Sequence, residues 1–182
     1  LIADPSGPVG LRTDNQKLTY RGDAVTGVAV TLLDHWDRNQ RRGGVRAAVE
    51  GLVRYPTGLR PRSDRLFAVG TGDGQTDLEM RATVDLGAGN IGLRLEGDYT
   101  RQLAADITAR VAAPSQPLTG SALITTLRSD PGDVTTLAAR PFFRLARTLA
   151  IQGTALHWSR GADAVGYASP AAEIPGVDAS VL

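Results

Sequence analysis

The chain has 182 residues, 42% of them hydrophobic and 21% charged, with a formal net charge of +1. That balance excludes a disordered polymer, and no run of roughly 18 apolar residues is present to make a membrane-spanning helix. A bilayer could therefore be crossed only by strands. The near-neutral charge, with arginines scattered among acids, gives no reason to expect nucleic acid as a partner. The absence of cysteine removes disulfides, thiolate catalysis and Cys-based metal sites, and it suits a chain that passes through an oxidising compartment. A single domain over residues 1–182 is the expectation at this length. The chain begins at Leu1 with no signal segment, and an alternating run over 178–182 breaks off, so we expect a processed or excerpted segment, incomplete at its C-terminus.

Taken in chain order, the first strand falls at 25–33, a stretch apolar throughout whose two faces are hard to separate. The next runs over 45–55, with Val45, Ala47, Val49, Gly51 and Val53 alternating against Arg46, Ala48, Glu50 and Arg54. Period two is the signature of a strand with two unlike faces. It is clearest over 77–100, where Leu78, Met80, Ala82, Val84 and Leu86 alternate with Glu79, Arg81, Thr83 and Asp85. After Gly87-Ala88-Gly89-Asn90 it resumes, with Ile91, Leu93, Leu95, Gly97 and Tyr99 on one face and Gly92, Arg94, Glu96 and Asp98 on the other.

If Gly89-Asn90 is the two-residue loop of a primed turn, Leu86 faces Leu93, Val84 faces Leu95 and Met80 faces Tyr99. The same register sets Asp85 against Arg94 and Arg81 against Asp98, so unlike charges meet on one face and apolar groups on the other. Shifting the loop to Ala88-Gly89 sets Glu79 against Asp98, a like-charge pair, and is disfavoured. Residues 103–111 fit either a short amphipathic helix or an extension of the preceding strand beyond the membrane, and the shared parity favours strand. A second hairpin is expected from 135–143 and 149–158 around Leu145-Ala146-Arg147-Thr148. Pro141 inside it cannot donate to a ladder and points to a bulge or to the low end of the strand.

Connections at 87–90 and 145–148 are short, whereas those at 56–76, 112–134 and 160–177 are long and rich in Gly, Pro, Ser and Asp. Strands of about 9 to 11 residues with tight turns at one end and long loops at the other are the pattern of an outer-membrane barrel. The expected fold is thus all-β: an antiparallel up-and-down meander forming part of a transmembrane β-barrel. Hydrocarbon leaves no edge unpaired, so strands close into a ring with apolar residues facing lipid. Arg46, Glu50, Arg54, Glu79, Arg81, Asp85, Arg94, Glu96 and Asp98 would then line a wet lumen as a lattice of mixed sign. Aromatic residues make up 5% of the chain, sparse for interfacial girdles, although Trp36, Tyr55, Phe143 and Trp158 fall near expected strand ends.

The segment Tyr55-Pro56-Thr57-Gly58, the run Val69-Gly70-Thr71-Gly72-Asp73-Gly74-Gln75-Thr76-Asp77 and the hairpin after it resemble bacterial outer-membrane transporter-like barrels, including those grouped with aromatic-degradation-pathway channels. Over most of the chain, this resemblance implies a channel in the bacterial outer membrane for small hydrophobic or amphipathic compounds. Its partners would be outer-membrane lipid and small-molecule solutes, with no cofactor and no catalytic residue. A complete barrel would need more than the roughly seven strands countable here.

Other motifs read as turn chemistry. Gly72-Asp73-Gly74-Gln75-Thr76-Asp77 has the spacing of a calcium loop but too few oxygen ligands, so a turn leading into a strand is expected. Ser129-Asp130-Pro131-Gly132-Asp133 fits a loop tip. Arg21-Gly22-Asp23 is too short to carry weight. His35 and His157, each beside a tryptophan, have no serine or carboxylate pattern around them and suit strand ends. Without a Gly-x-Ser-x-Gly elbow or another nucleophile with its base, enzymatic activity is not expected. The alternative from a different class is a soluble exported β-sandwich or open barrel acting as a binding or structural module.

Overall fold

The structure is a computed structural model and describes residues 21–37, 43–61, 63, 70–111, 123–146 and 148–181. Among these the chain is all-β, with antiparallel pairing throughout and no α-helix: β1 (Ala24–Asp37), β2 (Gly43–Tyr55), β3 (Asp77–Ala88), β4 (Ile91–Gln102), β5 (Ala105–Arg110), β6 (Ile124–Asp130), β7 (Val134–Arg144), β8 (Ala150–Gln152), β9 (Ala155–Arg160) and β10 (Ala164–Tyr167). Short 3-10 turns at Pro170–Ala172 and Ala179–Val181 follow. No helix among the described residues is long and apolar enough to cross a membrane.

The larger sheet has the order β1-β2-β3-β4-β7-β8, with β9 also on β7, and the smaller has the order β10-β6-β5. The two are one system of ribbons. Thr100 pairs with Val134 in the larger sheet and Ala105 with Ser129 in the smaller. Five residues forward on one side match five back on the other, so no residue is inserted between β4 and β5 relative to β6 and β7. Likewise Val134 pairs with Arg160 and Asp130 with Ala164, keeping β9 and β10 in step along β7 and β6. Six ribbons result, namely β1, β2, β3, β4–β5, β6–β7 and β8–β10, each hydrogen-bonded to its sequence neighbour.

The β3–β4 hairpin has the register read from charge and apolar pairing: Leu86 opposite Leu93, Met80 opposite Tyr99, Asp85 opposite Arg94 and Arg81 opposite Asp98. Its two-residue turn places Gly89 at φ 60°, the left-handed region that a Gly-first primed turn requires. The mixed faces of β1 also have a cause. Thr31 pairs with Ala48 but Leu33 with Ala47, so Leu32 is an extra residue that shifts the register. Apolar parity changes from Val28 and Val30 to Leu33 across it, as a bulge dictates.

Residues 103–111 contain β5 rather than a helix. Of the two expectations for Pro141, the bulge is absent, and the residue lies toward the tight-turn end of β7, which closes at Arg144. Ala139 pairs with Ala155 and Phe142 with Gln152, three residues forward for three back. What breaks β8 from β9 is a missing donor. Arg144 donates its N–H to the Asn90 carbonyl on the β4 side, so by alternation position 141 faces the β8–β9 side. There the Gly153 N–H donates to the Pro141 carbonyl at 3.0 Å, and Pro141 has no N–H to return. Two of the long connections are shorter than expected, because β6 lies inside 112–134 and β10 inside 160–177. Residues 131–133 are accordingly a break within a ribbon rather than a loop tip, and Trp158 stands inside a ribbon rather than at its end.

Tight connections gather at one end of the sheet: Gly89-Asn90, and the 145–149 turn in which Leu145 and Ala146 donate to the Leu149 carbonyl. At the other end the chain is tied by side chains. Asp23 accepts the Gly58 N–H at 2.7 Å, Thr57 Oγ1 accepts from the Ala24 N–H, and Thr71 Oγ1 donates to the Arg21 carbonyl. That end also holds the closed apolar cluster of Val111, Leu127, Val177 and Ala179, with Tyr167 donating to the Val177 carbonyl. Asp178, just before the last 3-10 turn, accepts both the N–H and the hydroxyl of Ser180, which holds its carboxyl below the usual range.

Pro141→Val restores an N–H aimed at the Gly153 carbonyl. It should join β8 to β9 and stabilise the fold by about 1 kcal/mol, the worth of one ladder hydrogen bond. Urea unfolding in detergent gives the energy, and slowed hydrogen exchange of the amide at position 141 shows the bond. An amide exchanging at the rate of a loop would mean that the gap has another origin.

Candidate functional site

Side chains on a strand alternate between faces, so residues paired across successive strands form rows on one face. One face of the larger sheet is apolar on every ribbon. Val28, Val49, Met80, Ile91, Leu137 and Ile151 lie on it, exposed by 69% at Val28, 68% at Met80 and 62% at Ile91. No second layer covers them among the described residues. A bare apolar surface of this extent is far beyond the isolated apolar residues that water-exposed surfaces carry.

The opposite face carries charge, and all nine residues read as lining residues share it. Arg46, Asp85, Arg94 and Arg140 form one row across β2, β3, β4 and β7. Glu50, Arg81 and Asp98 form another, Arg54 pairs with Asp77 in a third, and Glu79 and Glu96 stand in the rows between. Arg81 is a hub, meeting Glu50 at 3.1 Å, Asp98 at 3.4 Å and Glu79. Arg94 binds Asp85 through two nitrogens, Nε at 2.6 Å and Nη2 at 3.0 Å. Arg140 meets Glu96 at 2.5 Å and Arg54 meets Asp77 at 3.4 Å. Arg46 differs: it lies between Asp34 of β1 and Asp85 of β3 in the same row, and Asp85 is engaged by Arg94. Exposed pairs of this kind each contribute about 0–1 kcal/mol. Their consequence is therefore a patterned field on the face rather than stability.

At the tight-turn end the charged face finishes in a row of Trp36, Gly44, Gly87, Gly92, Phe142 and Gln152. The rings lie over the glycines. A Cβ at Gly87 would come within 2.6 Å of the Trp36 ring, and one at Gly92 would collide with the Phe142 ring. Together with the neighbouring charged row, these side chains bound an open cleft of about 490 Å³, lined by Trp36, Arg46, Asp85, Arg94, Arg140, Phe142 and Gln152.

Arg140 and Phe142 were not singled out from sequence, and Trp36 was read only as an aromatic near a strand end, where it lies. Parity would have found Arg140 and Phe142, since Thr136, Ala138, Arg140 and Phe142 alternate with Leu137, Ala139, Pro141 and Phe143, but Pro141 obscured the pattern. Trp36 lies beyond the Leu32 bulge, where parity is displaced. The Gly-Asp-Gly loop resolves into turn chemistry: Asp73 accepts the Gln75 N–H at 2.9 Å in an Asx turn. Among the described residues, no group of three or more His, Cys, Asp or Glu could hold a metal ion. Comparison with protein-family models and with curated proteins gives no match.

Gly92→Ala forces the Phe142 ring off its seat and should cost about 1–3 kcal/mol, the usual penalty of overpacking. In a Phe142→Ala background the same change should cost much less. A double-mutant cycle by urea unfolding measures this coupling, and additive costs would refute the ring-over-glycine contact.

Proposed function

We propose that this chain forms part of a bacterial outer-membrane β-barrel, a channel or transporter-like protein that passes small molecules along its charged face. The observation that carries this reading is the division of one uncovered sheet into a bare apolar face and an ion-paired face. In water such a sheet would leave its Leu, Val and Ile side chains hydrated at roughly 25 cal/mol per Å². Against hydrocarbon the same face is solvated, and the backbone is satisfied by strand-to-strand pairing.

The order of the ribbons supports the same reading. Each pairs with its neighbour in sequence, with tight connections at one end and long ones at the other, as in barrels of the outer membrane. The resemblance of 55–58 and 69–77 to transporter-like barrels points the same way. β1 and β8–β9 are the outermost strands of the sheet. A ring therefore requires those two edges to be paired, because an open edge in hydrocarbon costs several kcal/mol per unsatisfied group.

A second reading, a soluble exported β-sandwich or open barrel serving as a binding or structural module, draws on one observation. The closed cluster around Val111, Leu127 and Val177 is an ordinary water-excluded core. On that reading the protein is a folded monomer in buffer without detergent, which sedimentation reads directly.

Two substitutions on opposite faces separate the readings. Met80→Arg places a charge on the apolar face and, at mid-depth of a bilayer, should cost about 2–4 kcal/mol of folding into lipid vesicles; Thr83→Arg, on the charged face, should fold normally. Arg81→Glu should insert like the parent and shift the channel toward cations in planar bilayers. Equal folding of the two arginine variants, or unchanged ion selectivity, would overturn the channel assignment.

A further inference from the structure

We infer that the cleft between Trp36 and Phe142 is a binding station for small monocarboxylates with an apolar body, with Arg46 as ligand of the anion. Its place on a solute's path rests on the channel reading above, whereas the binding itself is a property of the cleft.

Three guanidinium groups line this cleft beside a single carboxylate, Asp85. Two of the three are already satisfied. Asp85 occupies Arg94 through two hydrogen bonds, and Glu96 occupies Arg140. Arg46 stands in the same row, exposed, and the Asp85 carboxylate opposite it is engaged by Arg94. Its planar fork matches a carboxylate through two parallel N–H···O bonds, a geometry that a neutral amide or a halide cannot reproduce.

The next row supplies the second half of the site. Trp36 and Phe142 lean over Gly87 and Gly92, so ring surface rather than backbone borders the guanidinium row. A carbon body carried by the anion meets apolar surface there while its carboxylate meets Arg46. The volume of about 490 Å³ suits a small organic ligand.

Charge along the face separates this cleft from its surroundings. Around Arg81, three carboxylates face one guanidinium, a surplus of negative charge that repels anions. The row of Arg46 has no such surplus: its three guanidinium groups stand with Asp34 and Asp85, and Glu96 lies beside Arg140. An anion on the charged face therefore meets less repulsion at Arg46 than at Arg81, and the two rows act in series.

The test uses the full chain folded in detergent, in a Trp158→Phe background that leaves Trp36 as the only tryptophan. Titration with cyclohexanecarboxylate should change Trp36 emission saturably, while cyclohexanecarboxamide should give no saturable change. Arg46→Gln should weaken carboxylate binding at least tenfold, Arg46→Lys should fall between, and Arg128→Gln, in the smaller sheet, should bind like the parent. Should Arg46→Gln fail to fold, Arg46→Lys carries the comparison, since it keeps the charge and loses the fork. Equal responses to acid and amide, or an Arg46 variant that binds like the parent, would refute the site. Bilayer recordings on the same preparations separate the two readings: conductance without carboxylate binding removes the station alone, whereas binding without conductance removes the channel and leaves the cleft an anion site.

Discussion

Strand register is the constraint on which everything else here depends. Side-chain period is two, so a slip of one residue between β3 and β4 would turn Leu86, Val84 and Met80 toward the side of Arg94 and Asp98. The observed pairing satisfies both faces at once: apolar partners meet on one, and Arg81 and Arg94 find Asp98 and Asp85 on the other. This mutual consistency extends across the sheet, because β2 enters with Glu50 opposite Arg81 and Arg46 opposite Asp85. A sheet so divided needs two different environments, and on the channel reading these are lipid and water.

Packing follows from that division. Little of the larger sheet is buried, and the closed apolar cluster sits at the far end, where β5, β6 and β10 extend the ribbons and the 168–181 segment folds back on them. At the tight-turn end, order comes instead from rings laid over glycines. Gly87 and Gly92 leave the floor flat enough for Trp36 and Phe142, and the arginine row stands directly behind. Charged and aromatic side chains are thus arranged by strand pairing alone, with no loop needed to bring them together.

How much of this was legible in the sequence varied with the local chemistry. The β3–β4 hairpin could be read to the residue, since a two-residue turn and alternating charges leave a single self-consistent register. β1 could not, because Leu32 inserts a residue and inverts parity midway. Pro141 suggested a bulge, but its effect is one missing donor in an unbroken register. The breaks at 131–133 and 161–163 carry Pro131, Gly132 and Gly161 and resembled loops, so β6 and β10 were absorbed into connections. Arg140 was missed for the same reason as Phe142: the proline beside them hid the alternation. All nine charged residues chosen as lining were nonetheless found on one face, because they came from the strands whose alternation was unbroken.

Pairing each ribbon only with its sequence neighbour has a kinetic consequence. The Ala88–Ile91 end of the β3–β4 hairpin closes a short stretch at small entropic cost, whereas even the nearest pairs of β2–β3 and β4–β7, Arg54 with Asp77 and Thr100 with Val134, close long ones, so non-local pairing dominates and slows the sheet. The Gly89-Asn90 turn is the natural starting point, since hairpins with such turns zip within microseconds, and ribbons can then be added outward one at a time. The slowest closures are those spanning the long connections, 56–76 and 111–123, where nucleation has to bridge more chain before any pairing rewards it. Assembly order would thus be written into turn length, with the middle of the sheet formed before its flanks.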